Sequence, residues 1–147
     1  VEDVQNMELV QGMWQKRKGF HLAGSFAPII SNEGTCKGMH VFNLQGNLHI
    51  LGAYRNILYD TYQVTKHDSG KVLTSYLPTT KRVRFTDFRN KCYIAHGQDG
   101  ILMFDGDKIQ EMPSPAGSII ATYDNRLILG GIKGDPLVIY FSERGDG

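Results

Sequence analysis

Three windows of the chain, "MHVFNLQGNLHILGAYRNILYDTY", "VRFTDFRNKCYIAHGQDGILMFDGD" and "IIATYDNRLILGGIKGDPLVIYFSE", carry one pattern. Each runs as an apolar strand, a tight turn ending in Asn, a second apolar strand, a small-residue loop and a third strand. The turn asparagines Asn47, Asn90 and Asn125 stand 43 and then 35 positions apart. Asn tolerates the left-handed backbone that two-residue hairpins demand, so its return at this place has a mechanical cause. A glycine follows each second strand: Gly52, Gly97, then Gly130 and Gly131. The third strands read "NILYD", "GILMFD" and "PLVIYF". Fourth strands are expected at "KVLTSYLP" and "KIQEMP", each stopped by a proline, Pro78 and Pro113.

A meander of three or four antiparallel strands that returns about every 40 residues is the pattern of propeller blades. The third strands are apolar on consecutive positions, which requires both faces to be covered, as when one sheet is packed between two others. A two-layer sandwich would more often show polar outer faces. The expected fold class is therefore all-β, with antiparallel meander repeats in a β-propeller-like arrangement of about three blades. The blades are expected at 39–78, 79–113 and 114–147, and residues 1–38 form an N-terminal segment that packs on or closes the propeller. Closed propellers typically have at least four blades. The third unit also lacks its fourth strand at Gly147, so the chain is expected to be part of a larger propeller. Helical periodicity is nearly absent; "VEDVQNMELVQGMWQK" is the one candidate and has no convincing cap.

The 147 residues can bury one real core. Sixteen Lys and Arg against fifteen Asp and Glu leave a net charge of +1, which argues against a general polyanion binder. Cys36 and Cys92 belong to no CxxC motif and define no disulfide framework, and a reducing compartment suits them. No apolar run approaches the ~18 residues of a membrane span, and no charged-then-apolar secretion signal is present.

No catalytic residue, metal site or cofactor is expected. His21, His40, His49, His67 and His96 include no pair at zinc-ligand spacing, and no Cys lies near enough in sequence to complete a site. His49 and His96 fall on or beside second strands and read as structural, hydrogen-bonded residues. "FDGDK", with Asp105 and Asp107, lacks the other oxygen ligands of a calcium loop and reads as a hairpin turn, as does "QDG" at 98–100. Asp60, Asp87, Asp105 and Glu143 stand at strand ends, but no glycosidase pattern surrounds them. "GGIKGDP" lacks the GK[ST] ending of a phosphate loop.

Two basic clusters remain: Lys16, Arg17 and Lys18, then Lys81, Arg82, Arg84, Arg89 and Lys91. Alternation places Arg82 and Arg84 on one strand face. Lys16, Arg17, Lys18, Arg82, Arg84 and Arg89 are the candidates for contact with DNA in a channel or with another subunit. The plainer reading is that they are solvated strand-edge charges, which also discourage edge-to-edge aggregation. Tyr54, Tyr59, Tyr62, Tyr76, Phe85 and Phe88 lie between the clusters. Most belong to a core on this reading; an exposed subset would suit a subunit contact or a glycan platform.

Several segments resemble a group of tailed-bacteriophage virion proteins. "N…GMWQKRKGF", from Asn6 to Phe20, resembles that group's opening, an Asn and a Gly followed by a basic pair and a Gly with an aromatic. "GILMFDGDKIQEM" is similar to its strand, aromatic, Asp-Gly turn and strand. "YDNRLILGGIKGDPLVIYFSERGDG" is similar to its Asn-Arg-Leu strand leading to a strand, Ser-Glu and Gly-Asp. The group includes tail tubular or nozzle proteins and packaged-DNA stabilisation proteins of short-tailed phages. Lys18 stands where the group often has Pro before the Gly, and the group continues into further blades. The resemblance implies a non-enzymatic virion protein of the phage tail, made in the bacterial host cytoplasm. Its partners would be copies of itself in a ring, other virion proteins and, transiently, genomic DNA during ejection. A glycan- or protein-binding propeller is the alternative from another class, and a carbohydrate-active enzyme the third.

Overall fold

Four two-residue turns set the registers from which the fold is built. The computed structural model describes residues 7–10, 13–16, 35–60, 71–74, 77 and 81–144. At the N-terminal end, β1 (Met7–Val10) and β2 (Met13–Lys16) pair antiparallel, so the segment that was the helical candidate contains a hairpin. The first sheet is the meander β3 (Cys36–Leu44), β4 (Asn47–Tyr54), β5 (Ile57–Asp60) and β6 (Lys71–Thr74). The second is β7 (Arg84–Phe88), β8 (Lys91–Ala95), β9 (Leu102–Phe104) and β10 (Ile109–Glu111). The third is β11 (Gly117–Tyr123), β12 (Arg126–Ile132) and β13 (Tyr140–Phe141). The described residues are thus all-β, with antiparallel meanders of four, four and three strands in a propeller-like arrangement that is not closed.

The first turn of each sheet has positive φ at both central residues, as the right-handed twist of a tight hairpin requires. These are Arg89 (50°) with Asn90 (59°), and Asp124 (46°) with Asn125 (57°). In the first sheet the turn is Gln45 (52°) with Gly46 (92°), and Asn47 is already the first residue of β4, paired with Leu44. Asn47 therefore does not hold the turn position expected of it. Glycine takes φ > 0 at less cost than Asn, and Gly46 draws the turn back to itself. The fourth two-residue turn is Arg55–Asn56, with positive φ at Arg55 (54°) but not at Asn56, enclosed by the pair Tyr54 and Ile57.

The sheets stack with their first strands adjacent, β3 against β7 and β7 against β11. Backbone hydrogen bonds cross both junctions: the Val83 N–H donates to the Lys37 carbonyl at 3.0 Å, and the Gly97 N–H to the Gly117 carbonyl at 2.9 Å. The second sheet is covered on both faces. Cys92 and Ile94 of β8 enter a core with Phe42, Leu51 and Leu58 of the first sheet. Tyr93 and Ala95, the alternating partners, enter a second core with Ile120, Leu127 and Leu129 of the third. Phe104 and Met103 of β9 divide between the two cores in the same way. The consecutive apolar residues of this strand therefore follow from burial on two sides, each large side chain contributing about 1.5–3 kcal/mol.

The third unit departs from that expectation. Leu137 is 91% exposed, and Ile139 and Phe141 are also exposed. "PLVIYF" spends its first residues in turns, with the Val138 N–H on the Asp135 carbonyl, and only Tyr140 and Phe141 pair with β12. Among the described residues no sheet lies on that outer face, so its apolar side chains stay in solvent. Of the aromatics expected inside, Tyr59 and Phe88 are buried and Phe85 packs against the first core, while Tyr62 and Tyr76 lie outside the described residues. Pro78 lies outside them too; β10 ends two residues before Pro113.

His49 is structural, as its position on a second strand suggests. Its Nδ1 donates to Asp60 Oδ2 at 2.7 Å, both groups are buried, and the Phe104 ring meets it edge-on at 5.4 Å. His96 is buried as well, yet its Nδ1 has no hydrogen-bond partner among the described residues. Burial lowers its pKa below the usual histidine value of 6.5, despite the opposing pull of Asp99 and Glu111. The neutral form is the one that folds, so the unfolded chain binds the extra proton first. Stability is then complete above pH 6.5 and falls as the pH drops from there toward the lower folded-state value. Urea midpoints measured across this window should fall with pH, and His96→Gln should flatten that slope. An unchanged slope in the variant would remove His96 as its source.

Candidate functional site

The candidate basic residues separate into two places. Arg82 and Arg84 flank Val83, which is buried in the first core, so alternation turns both arginines the other way. Together with Lys81 they line a concavity of about 360 Å³ whose far wall is Ser118 and Ile119 of β11. An adjoining hollow of about 260 Å³ brings Gly38 and His40 of β3, Arg84 of β7 and Ile120 of β11 to one place. The first strands of all three sheets thus converge where Arg84 stands. Lys81 is held there by its Nζ, which donates to the Gly97 carbonyl at 2.7 Å. Among the described residues neither Arg82 nor Arg84 pairs with a carboxylate.

Arg89 does not join them. It sits in the turn at the opposite end of β7, its guanidinium 5.5 Å from the Phe88 ring centroid and its Nη2 3.5 Å from Asn125 Oδ1. This is a packing and turn-to-turn role rather than a place in the concavity. Arg17 and Lys18 lie outside the described residues, and Lys16 is described only as the last residue of β2.

Of the strand-end carboxylates Asp60, Asp87, Asp105 and Glu143, the three aspartates are occupied separately. Asp60 holds His49, and Asp87 accepts from His40 Nε2 at 2.7 Å. Asp105 Oδ1 accepts from the backbone N–H groups of Asp107 and Lys108, at 2.9 and 2.8 Å. Those bonds lower its pKa, and Gly106 takes φ 103°, so "FDGDK" is the turn expected of it. Asp124 accepts two bonds from Arg144 Nη2, at 2.8 and 2.7 Å.

One grouping was not visible in the sequence. His40, Asp87 and Cys92 place an imidazole nitrogen, a carboxylate oxygen and a sulfur within 4.8 Å of one another. Asp87 and Cys92 are direct cross-strand partners on either side of the Arg89–Asn90 turn, and His40 reaches them from the neighbouring sheet. His40 stacks flat on Phe85, 5.6 Å between centroids and 5° between planes, which fixes its ring. Burial, with the Asp87 charge beside it, pushes the Cys92 thiol well above the ordinary range, so Cys92 is no ready nucleophile.

An apolar cleft of about 340 Å³ opens between the second and third sheets, lined by Tyr93, Ile101, Met112, Leu129 and Tyr140 among others. Among the described residues the buried hydroxyl of Tyr93 has no hydrogen-bond partner. Comparison with family models, with curated proteins and with solved structures finds no match for the chain.

Proposed function

We propose that this chain is a non-enzymatic structural protein of a phage tail, a subunit of a nozzle- or tail-tube-like ring that bounds the channel for DNA ejection. The observation that carries the reading is the Arg82–Arg84 pair, without a carboxylate partner among the described residues, where three successive first strands converge. Rigid sheets would set the width of a passage, and two spaced charges would face passing phosphates without gripping them. The resemblance of the N-terminal and third-unit segments to phage tail propellers supports the same reading. Partners on this view are copies of the chain, other virion proteins and, transiently, DNA.

The test joins assembly to charge. Sedimentation and negative-stain imaging of the purified chain should give a ring with an axial opening. Arg82→Glu with Arg84→Glu should keep the ring and weaken duplex binding, lowering its salt slope by about 2. A monomer under all conditions would sink the ring, and an unchanged salt slope would remove the arginines from contact with DNA.

The apolar cleft between the second and third sheets favours a second reading, a propeller that binds a glycan or protein partner, since ligand pockets are mostly apolar concavities with an aromatic wall, here Tyr140. A monomer whose Tyr140→Ala variant loses binding to a glycan array would favour this reading over the first.

A further inference from the structure

The donor trio lies at the junction of the first two sheets, away from the cleft, with His40 on the wall of the hollow that it shares with Arg84. His40 comes from β3, Asp87 from β7 and Cys92 from β8, so the group bridges two blades. Nitrogen, oxygen and sulfur together suit a borderline-soft cation, and the thiol and imidazole disfavour calcium and magnesium. We propose that His40, Asp87 and Cys92 form a zinc site that staples the first sheet to the second, with water as the fourth ligand.

The geometry needs little adjustment. Tetrahedral zinc with ordinary Zn–N, Zn–O and Zn–S bonds separates its ligand atoms by about 3.5 Å. The three atoms already lie within 4.8 Å, and Asp87 and Cys92 stand directly opposite each other on paired strands. In the metal-free protein a proton occupies the place of the ion: His40 Nε2 carries it toward Asp87 Oδ1 at 2.7 Å. Cys92 enters as a thiol and brings a second proton. Zinc takes the Nε2 lone pair after the ring proton shifts to Nδ1, and it displaces the thiol proton to solvent. One proton leaves per ion, and the charges of Zn²⁺, thiolate and carboxylate sum to zero. An approach for the ion exists, since the side chains of His40 and Asp87 are 26% and 43% exposed while Cys92 closes the inner side.

Titration of the chelator-treated chain with Zn²⁺ should reach one equivalent. Co²⁺ in its place should give the visible bands of a tetrahedral ion and a thiolate-to-cobalt charge-transfer band in the near ultraviolet. Zn²⁺ at a hundred times its Kd should raise the folded-to-unfolded ratio about 100-fold. Cys92→Ser should abolish the charge-transfer band. His40→Gln, at a partly exposed position that leaves the core intact, should weaken zinc binding at least tenfold. Cys36→Ser should change neither. Binding below one equivalent, a cobalt spectrum without the thiolate band, or loss of that band in Cys36→Ser would each overturn the site. Unchanged zinc affinity in His40→Gln would do so even if Cys92→Ser failed to fold.

Discussion

Replacing Phe104 with alanine is expected to lower the unfolding free energy by about 3–5 kcal/mol, the range for truncating a fully buried aromatic. Phe104 has no exposure and stands on the face of the second sheet that meets the first. Its ring crosses Phe42 edge-on at 6.0 Å and His49 at 5.4 Å, so the truncation opens a cavity beside a buried His–Asp pair. That pair would then lose part of its apolar wall and admit water, adding to the cost. Leu137→Ala is the matched control: at 91% exposure it should change stability by less than about 0.5 kcal/mol. Urea unfolding of both variants measures the contrast. A Phe104→Ala cost below about 1 kcal/mol would mean that the two sheets do not share this core.

Gly38→Ala should be the second severe substitution, although it adds only a methyl group. A Cβ at Gly38 would run into the carbonyl oxygen of Val83 and come within 2.9 Å of Phe85 Cε2. The first obstacle is backbone and cannot rotate away. It belongs to the same approach in which the Val83 N–H bonds the Lys37 carbonyl, so relief means prising β3 from β7. The expected cost is about 3 kcal/mol, at the upper end of overpacking penalties. Gly130→Ala provides the comparison, since its nearest obstacle is Ile119 Cβ at 4.0 Å and its φ is not positive. Equal stability of the two variants would show that the first two sheets do not approach this closely.

Much of the fold was legible because tight hairpins impose a local chemical demand. Asn90 and Asn125 mark their turns, and the two-sided burial of β8 and β9 is written as apolar residues on consecutive positions. Asn47 misled by one step because Gly46 beside it meets the same demand better. "PLVIYF" misled in another way: an apolar run predicts a covering surface, and nothing in a single chain's pattern says whether that surface is present. The site was less legible. The shared face of Arg82 and Arg84 follows from period-two alternation, but the placing of Arg89 at the far end depends on where β7 turns. Two of the three donors were readable as a pair, since hairpin register alone sets Asp87 opposite Cys92. His40 lies 47 residues from Asp87 on another sheet, and only the stacking of sheets brings it in.

In all three sheets each strand's hydrogen-bonded neighbours are its neighbours in sequence, which has a consequence for how the chain acquires its structure. No strand has to wait unpaired for a distant partner. Loop-closure entropy grows by only about 0.6 kcal/mol per doubling of length, and for ladders closed over two-residue turns it is near its minimum. The non-local step is the docking of one finished sheet on the next. Zipping is thus local and docking is sequential, an order suited to a chain that emerges from the ribosome from its N-terminal end.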